Sequence, residues 1–325
     1  MSFALKGRRV WVAGHNGMVG SAICRRLATE ECEILKADRR TVDLRRPADV
    51  ERWMAEARPE AVFVAAARVG GVLANATYPA DFIYDNLMIE TNVIHAAWRL
   101  GVGKLLFLGS SCIYPRLAPQ PIPEEALLDG PLEPTNQWYA IAKIAGIKLC
   151  EAYRQQHSCD FISAMPTNLY GPNDNFDLGT SHVLPALIAK IHDAKTAGRP
   201  SVEIWGSGKP LREFLHVDDL ADATVFLMRN YSAAPHINVG AGKEITIAEL
   251  ARLIAEVIGY EGRFTFDPNR PDGTPRKLLD VGRLTALGWQ ARIALRDGIA
   301  ETYAAYRRAL EAGAVRLAKI ASNAA

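Results

Sequence analysis

The sequence predicts an α/β protein: a doubly wound parallel sheet covered by helices on both faces, followed by a second, smaller α/β domain. From residue 8 onward, short apolar runs alternate with longer stretches of helical period. Glycines mark the junction of the first run and the first helical stretch. Past Gly171 the rhythm loosens into polar loops. Such alternation specifies parallel strands, because each right-handed crossover helix must pack back onto the sheet.

Taken in order, Arg8–Ala13 and Glu33–Ala37 read as strands, with the helical stretch Met18–Glu30 between them. A helix over Pro47–Ala57 leads to a third strand, Ala61–Ala65. Tyr84–Leu100 is a long helix, Lys104–Leu108 a strand, Tyr139–His157 a helix and Asp160–Met165 a strand. Pro172, Asn173, Asp174, Asn175 and Gly179 then form a long polar loop. It is followed by the helix Val183–Ala194, the strand Val202–Trp205, the helix Val217–Met228, the strand Ile237–Val239 and the helix Ile247–Ile258. A turn-rich segment, Asp267–Pro275, precedes Lys277–Val281 and a last helix, Leu295–Leu310. Residues 1–172 are expected to bind a dinucleotide. Residues 173–317 build mainly the second domain, with some segments returning to the first, and 318–325 form a tail.

Composition narrows the function. Lys and Arg number 38 against 36 Asp and Glu, a net charge of +2, which supplies no basic nucleic-acid surface. The longest apolar run, Ala61–Ala67, is far short of the roughly 20 residues of a membrane span. Five cysteines, Cys24, Cys32, Cys112, Cys150 and Cys159, are scattered without a Cys-x-x-Cys pair. That pattern predicts neither a disulfide framework nor a metal site, and fits a reducing cytoplasm.

Gly14-His15-Asn16-Gly17-Met18-Val19-Gly20 lies where the first strand meets the first helix. Glycines there let backbone approach a pyrophosphate, which the helix N-terminus attracts through free N–H groups and its dipole. This is the phosphate turn of a Rossmann domain. The second strand ends Lys36-Ala37-Asp38-Arg39-Arg40. An acid there accepts from the 2′-hydroxyl of NAD, whereas an arginine pairs with the 2′-phosphate of NADP. Asp38 and Arg39 compete for that role; two adjacent arginines favour NADP, and Arg40 reads as a solvated turn residue.

Tyr139-Ala140-Ile141-Ala142-Lys143 opens a helix, and a separation of four puts phenol and ammonium on one face. A nearby ammonium favours phenolate and makes proton transfer feasible at neutral pH. Upstream, Leu108-Gly109-Ser110-Ser111-Cys112 ends a strand with hydroxyls that can donate to a carbonyl oxygen beside Tyr139. Dinucleotide turn, serine-rich strand end and Tyr-x-x-x-Lys together resemble the short-chain dehydrogenase/reductase superfamily in its longer, nucleotide-sugar-modifying form.

Longer strings sharpen the resemblance: Ala13–Gly20, Ala66–Gly71, Tyr78–Ile83, Leu108–Pro115, Pro134-Thr135-Asn136, Met165–Pro172, Trp205–Gly208, Arg212–Asp219 and Pro271–Lys277. These strings are similar to the GDP-L-fucose synthases, and the resemblance runs through roughly residues 8–305. That family combines C3/C5 epimerisation of GDP-4-keto-6-deoxy-D-mannose with NADPH reduction of its C4 ketone. The resemblance implies NADP(H) as cofactor, a GDP-sugar substrate, and a homodimer joined through a four-helix interface built from the helices Tyr84–Leu100 and Tyr139–His157. It implies a catalytic group of Ser110, Cys112, Tyr139, Lys143 and His182, with Cys112 as base and His182 as acid. Cofactor contacts are implied for Gly14, His15, Asn16, Gly17, Met18, Val19, Gly20, Arg39, Leu108, Gly109, Lys143, Pro166, Thr167, Asn168, Leu169 and His182. Substrate contacts are implied for Lys190, Trp205, Arg212 and Asp272.

The chain departs from the family at Lys190 and Asn16, where arginine is common. Trp205 reads equally as core packing, and Asp218 as the cap of the helix that follows it. Cys24, Cys32, Cys150 and Cys159 read as structural. A related epimerase or 4,6-dehydratase that recycles its hydride on NAD is the alternative. A dehydratase, however, carries acids after the active-site hydroxyl, where Ser111 and Cys112 stand here. A non-catalytic dinucleotide-binding scaffold fits the fold alone.

Overall fold

A computed structural model describes residues 3–270 and 272–315; the expected tail over 318–325 lies outside the described residues. The chain opens with β1 (Arg9–Ala13), α1 (Met18–Leu27), β2 (Glu33–Leu35), α2 (Pro47–Ala57) and β3 (Ala61–Val64). Helix α1 stops at Leu27 rather than Glu30, and Glu31 turns the chain through a left-handed φ of 52°. A short helix, α3 (Val72–Thr77), was not predicted, and α4 (Pro79–Arg99) begins at Pro79 rather than Tyr84. Proline at the first helical position lacks only an N–H that would be unused there, and its ring pre-sets φ. Then come β4 (Lys104–Leu108), α5 (Gln137–His157) and β5 (Phe161–Pro166).

The second half contains β6 (Asn168–Tyr170), α6 (Val183–Thr196), β7 (Ser201–Trp205), β8 (Leu211–His216), α7 (Val217–Asn230), β9 (Ile237–Val239), β10 (Glu244–Thr246) and α8 (Ile247–Ile258). It ends with β11 (Arg263–Asp267), β12 (Arg276–Lys277), α9 (Gly282–Ala286) and α10 (Leu295–Glu311). Strands β6, β8, β10 and β11 and helix α9 escaped the sequence reading; β8, Leu-Arg-Glu-Phe-Leu-His, carries no apolar alternation. Lys277–Val281, unassigned by the sequence, begins in β12 and forms a bridge between Leu279 and Ile122. The expected cap is corrected too. Because β8 stays paired through His216, the helix starts at Val217 and His216 caps it, Nδ1 accepting from the Asp218 N–H at 3.3 Å. Asp218 sits inside α7, paired with Arg25.

Six parallel strands form the main sheet in the order β2-β1-β3-β4-β5-β9. Strand β9 thus returns from the second half to pair with β5. The winding reverses between β1 and β3, so a crevice opens at the carboxyl ends of those strands, where such sheets bind ligands. One buried cluster packs α1 and α7 on one face (Ile23, Leu27, Leu220, Val225). A second packs α2, α4 and α5 on the other (Met54, Val93, Ile94, Ile147). A third core, with Ile188, Ile191, Leu250 and Ile254, belongs to the second half, where β10, β8 and β12 form a small sheet that β6 joins through β8. No helix among the described residues is long and apolar enough to cross a membrane.

Candidate active site

At the crevice, Gly14 takes φ +90°, and a Cβ there would lie 2.7 Å from the Ala66 backbone nitrogen. The turn after β1 therefore presses against the loop after β3. The Gly17 N–H donates to the Gly14 carbonyl at 2.9 Å, and Gly17 begins α1 with no side-chain cap. The first turn of α1 carries no acid. Its N–H groups are left to a ligand, and its dipole favours an anion. His15, Met18 and Val19 are half-buried and Asn16 is exposed. Asn173 reaches across to donate to the Asn16 carbonyl at 3.1 Å.

At the end of β2 the competition resolves geometrically. Asp38 accepts from the Arg40 guanidinium at 2.9 Å and from the backbone N–H groups of Arg40 and Thr41. These bonds hold its carboxyl down at about 2. Arg39 is exposed and, among the described residues, makes no hydrogen bond or ion pair. The open group at this corner is a cation.

Past β4, Leu108 and buried Gly109 lead to Ser110, whose Oγ accepts from the Cys112 N–H at 3.5 Å and caps a single turn over Ser111–Ile113. That turn places Cys112 inside, clustered with Ala74, Phe82, Tyr139 and Ala140. Tyr139 and Phe82 meet edge-on with ring centroids 6.4 Å apart. Lys143 Nζ donates to the Leu108 carbonyl at 3.0 Å, 5.8 Å from the centre of the Tyr139 ring and 4.5 Å from that of Phe107.

The electrostatics correct one expectation. Burial raises the Tyr139 pKa well above its ordinary value, and Cys112 and Glu90 raise it further. Burial thus opposes the phenolate that the Lys143 ammonium was expected to favour. Lys143 is itself pushed down by burial, with Glu90 pulling it back up. Glu90, on α4, is a buried acid that the sequence reading did not single out.

His182 stands just before α6. The loop leading to it is fastened to the crevice, the Gly71 N–H donating to the Thr180 carbonyl at 2.8 Å. His182 keeps one side open to solvent. The protein packed around its other side, and then the Lys277 ammonium, hold the imidazole below its usual pKa. Burial raises the Cys112 thiol while Lys277 pulls it down. These directions disfavour a thiolate at Cys112 and an imidazolium at His182, the charged forms that a base at Cys112 and an acid at His182 require. Half-buried Lys277 is the second group that sequence reasoning missed, although its motif was legible. Thr167 and Asn168, between β5 and β8, both donate to the Glu213 carbonyl, at 3.4 and 2.8 Å. Pro166 is buried and Leu169 half-buried.

The four residues implied for substrate gather on the second half. Trp205 is 43% exposed, so it is not core. Lys190 Nζ lies 5.0 Å from its ring centroid and Arg270 Cζ 4.7 Å, two cations on one indole. Asp272 accepts from the Ser207 N–H at 2.7 Å and its hydroxyl at 2.8 Å, binding the turn after Trp205 to the following segment. Arg212 donates to the Leu211 and Asp272 carbonyls at 2.9 and 3.2 Å, which fixes its plane.

This assembly is that of a dinucleotide-dependent sugar-nucleotide enzyme. Residues 10–240 match the NAD dependent epimerase/dehydratase family. A GDP-L-fucose synthase of Sinorhizobium fredii is 59% identical over 304 residues, 94% of this chain and 97% of that protein. The chain belongs to the NAD dependent epimerase/dehydratase family and, within it, to the GDP-L-fucose synthases. Among solved structures, a GDP-6-OMe-4-keto-L-xylo-heptose reductase from Campylobacter jejuni superimposes with a TM-score of 0.89 at 36% identity, covering 95% of this chain and 99% of its own. A GDP-L-fucose synthetase from Naegleria fowleri bound to NADP gives 0.87 at 28% identity, covering 96% and 97%.

Proposed function

We propose that this protein is an NADP-dependent, bifunctional epimerase/reductase that converts GDP-4-keto-6-deoxy-D-mannose to GDP-L-fucose. The observation that carries the reading is the buried meeting of Cys112, Tyr139 and Lys143, one short turn from the Ser110 hydroxyl. The uncapped N-terminus of α1, the tight Gly14–Ala66 approach and the open Arg39 fit a dinucleotide with a 2′-phosphate. When bound, NADPH supplies the hydride for C4. Gly14–Gly20 hold the pyrophosphate, with further contacts from Leu108, Gly109, Lys143, His182 and the strand Pro166–Leu169.

Both halves of the reaction ask one thing of the protein. C3 and C5 flank the C4 carbonyl, so loss of a proton from either leaves negative charge on the C4 oxygen. Hydride arrival at C4 does the same. Ser110 and Tyr139 donate to that oxygen throughout. In the reduction the Tyr139 phenol passes its proton to the C4 oxygen, and Lys143 stabilises the phenolate that remains; burial keeps the phenol loaded for this step. Each inversion needs a base on one face of the ring and an acid on the other. Cys112 is the base and His182 the acid once the thiol proton has moved to the imidazole, which leaves a thiolate on one side and an imidazolium on the other. Lys277 beside the thiol favours the thiolate.

GDP is held by Lys190, Trp205, Arg212 and Asp272. Residues 1–172 serve the cofactor and 173–317 mainly the sugar nucleotide, with β9 lent back to the first sheet. The protein acts as a cytoplasmic homodimer through α4 and α5; Tyr84, Trp138 and Ile141 are exposed apolar residues on that pair, and all five cysteines are free.

The test is incubation with GDP-4-keto-6-deoxy-mannose and NADPH in heavy water. Deuterium at C3 and C5 with stoichiometric NADPH loss is expected. Reduction without deuterium, or exchange without NADPH loss, overturns the bifunctional reading.

A further inference from the structure

Glu90 has no part in the chemistry above, yet it is 1% exposed, and neither carboxylate oxygen has a hydrogen-bond partner within 3.5 Å among the described residues, the Gly146 N–H and the Lys143 ammonium being the donors that face it. A buried carboxylate in that condition is costly unless a charge answers it. The charge that answers is Lys143, itself 2% exposed, with Nζ 3.7 Å from Glu90 Oε2. The helix contact that creates the pair is tight: a Cβ on Gly146 of α5 would lie 3.0 Å from the Glu90 carboxyl carbon. The same Cβ would lie 2.4 Å from the Phe107 ring, so glycine lets α5 settle against both β4 and the acid of α4.

We propose that Glu90 is a positioning residue, the buried counter-ion that keeps Lys143 charged and fixed behind Tyr139. The idea rests on the reading of Lys143 as the cation supporting that phenol. Without the carboxylate, Lys143 would meet Phe107, the Leu108 carbonyl and the phenol of Tyr139 in an apolar setting, and would shed its proton at lower pH. The titratable groups facing the pair are Tyr139 and Cys150 from α5 and Cys112 from the turn after β4. Lys277 acts one step further out, through Cys112. Burial shifts Glu90 upward and Lys143 downward, and each charge restrains the other's shift.

Two measurements test this. In the first, kcat for NADPH-dependent reduction is followed against pH for the native protein, Glu90→Gln and Glu90→Asp. The alkaline limb of Glu90→Gln is expected to move down by about one pH unit or more, with most activity kept at low pH; Glu90→Asp, which retains the charge, is expected to restore most of the native limb. An alkaline limb unchanged in folded Glu90→Gln overturns the proposal. The second needs no turnover: the side-chain carboxyl 13C signal of Glu90 is titrated in native protein and in Lys143→Met, each saturated with NADP. Glu90 should protonate at distinctly higher pH when Lys143 is absent, and an identical titration overturns the pairing even if Glu90→Gln does not fold. Because that signal is independent of any sugar substrate, a failure of the functional reading would leave it intact.

Discussion

Replacing Gly14 by alanine puts a number on the packing of the crevice. The new residue must hold φ at +90°, and a left-handed backbone costs an alanine about 1–2 kcal/mol. Its methyl would start 2.7 Å from the Ala66 nitrogen and 2.8 Å from the Ala66 Cα, whereas ordinary contact begins at 3.4 Å. Both neighbours are backbone, so relief requires the loop after β3 to retreat; overpacking of this kind costs about 1–3 kcal/mol. The sum is about 2–5 kcal/mol. Whatever is not lost as stability is lost as cofactor binding, because the retreating loop widens the dinucleotide seat. At the lower bound, about 2 kcal/mol, the outcome is a fall in Tm of roughly 3 °C or a roughly 30-fold weaker Kd for NADPH. Gly198→Ala is the control, with φ +64° and nothing within 4 Å of its Cβ. It should lose a little stability and no affinity. Calorimetric titration with NADPH and thermal unfolding read both quantities. A Gly14→Ala protein with Kd within about twofold of native and the Tm of Gly198→Ala would refute the reasoning.

Cys112→Ser should slow deuterium entry at C3 and C5 by at least about 100-fold, the scale of a lost acid–base group, while hydride transfer to an already epimerised 4-keto sugar falls far less. Equal losses would remove Cys112 from the proton chemistry. Lys277→Met removes the cation that pulls the Cys112 thiol down, so the pH midpoint for its alkylation by iodoacetamide should rise; a fixed midpoint would separate the two residues. Arg212→Lys should raise the KM for the GDP-sugar about 10-fold, since lysine keeps the charge but loses the planar fork; an unchanged KM places Arg212 outside the phosphate contacts. Asp160→Asn should cost about 3 kcal/mol, because it leaves Lys104, 1% exposed and 2.9 Å from Asp160, without its counter-ion. Burial alone would raise the Asp160 pKa, but bonds from Ser232, Lys104 and Arg154 outweigh it and lower it. Its stabilisation is therefore full above the unfolded carboxylate pKa and is lost as pH falls through the folded value. Urea titrations should show that loss in native protein and not in the variant.

Residues that act through local pattern were legible in advance. The glycine turn, the Tyr139–Lys143 spacing and the apolar strands of the large sheet each declare themselves within a few neighbouring positions. What escaped is set by distant partners. Strand β8 mixes Arg212, Glu213 and His216 with apolar residues because β6, β10 and β12 surround it, a context the local string does not contain. The loaded state of the Tyr139 phenol depends on burial by Phe82 and Cys112, which spacing along one helix cannot reveal. Glu90 looks like any acid on a long helix until Gly146 brings α5 against it. Asp38 and Arg39 competed on paper, with only the neighbouring arginine tipping the balance toward Arg39. Only the folded turn, by engaging the acid with Arg40 and Thr41, separates them.

Strand β5 ends at Pro166 in the large sheet and β6 begins at Asn168 in the small one, with Thr167 alone between them. One residue, bonded on both sides to Val239 and Glu213, leaves no room for a hinge. The two halves are spliced like a single beam rather than jointed. Grafting the sugar-recognising half of a relative onto this chain would sever that beam, so altered sugar preference is better sought by changing side chains in place than by exchanging whole modules.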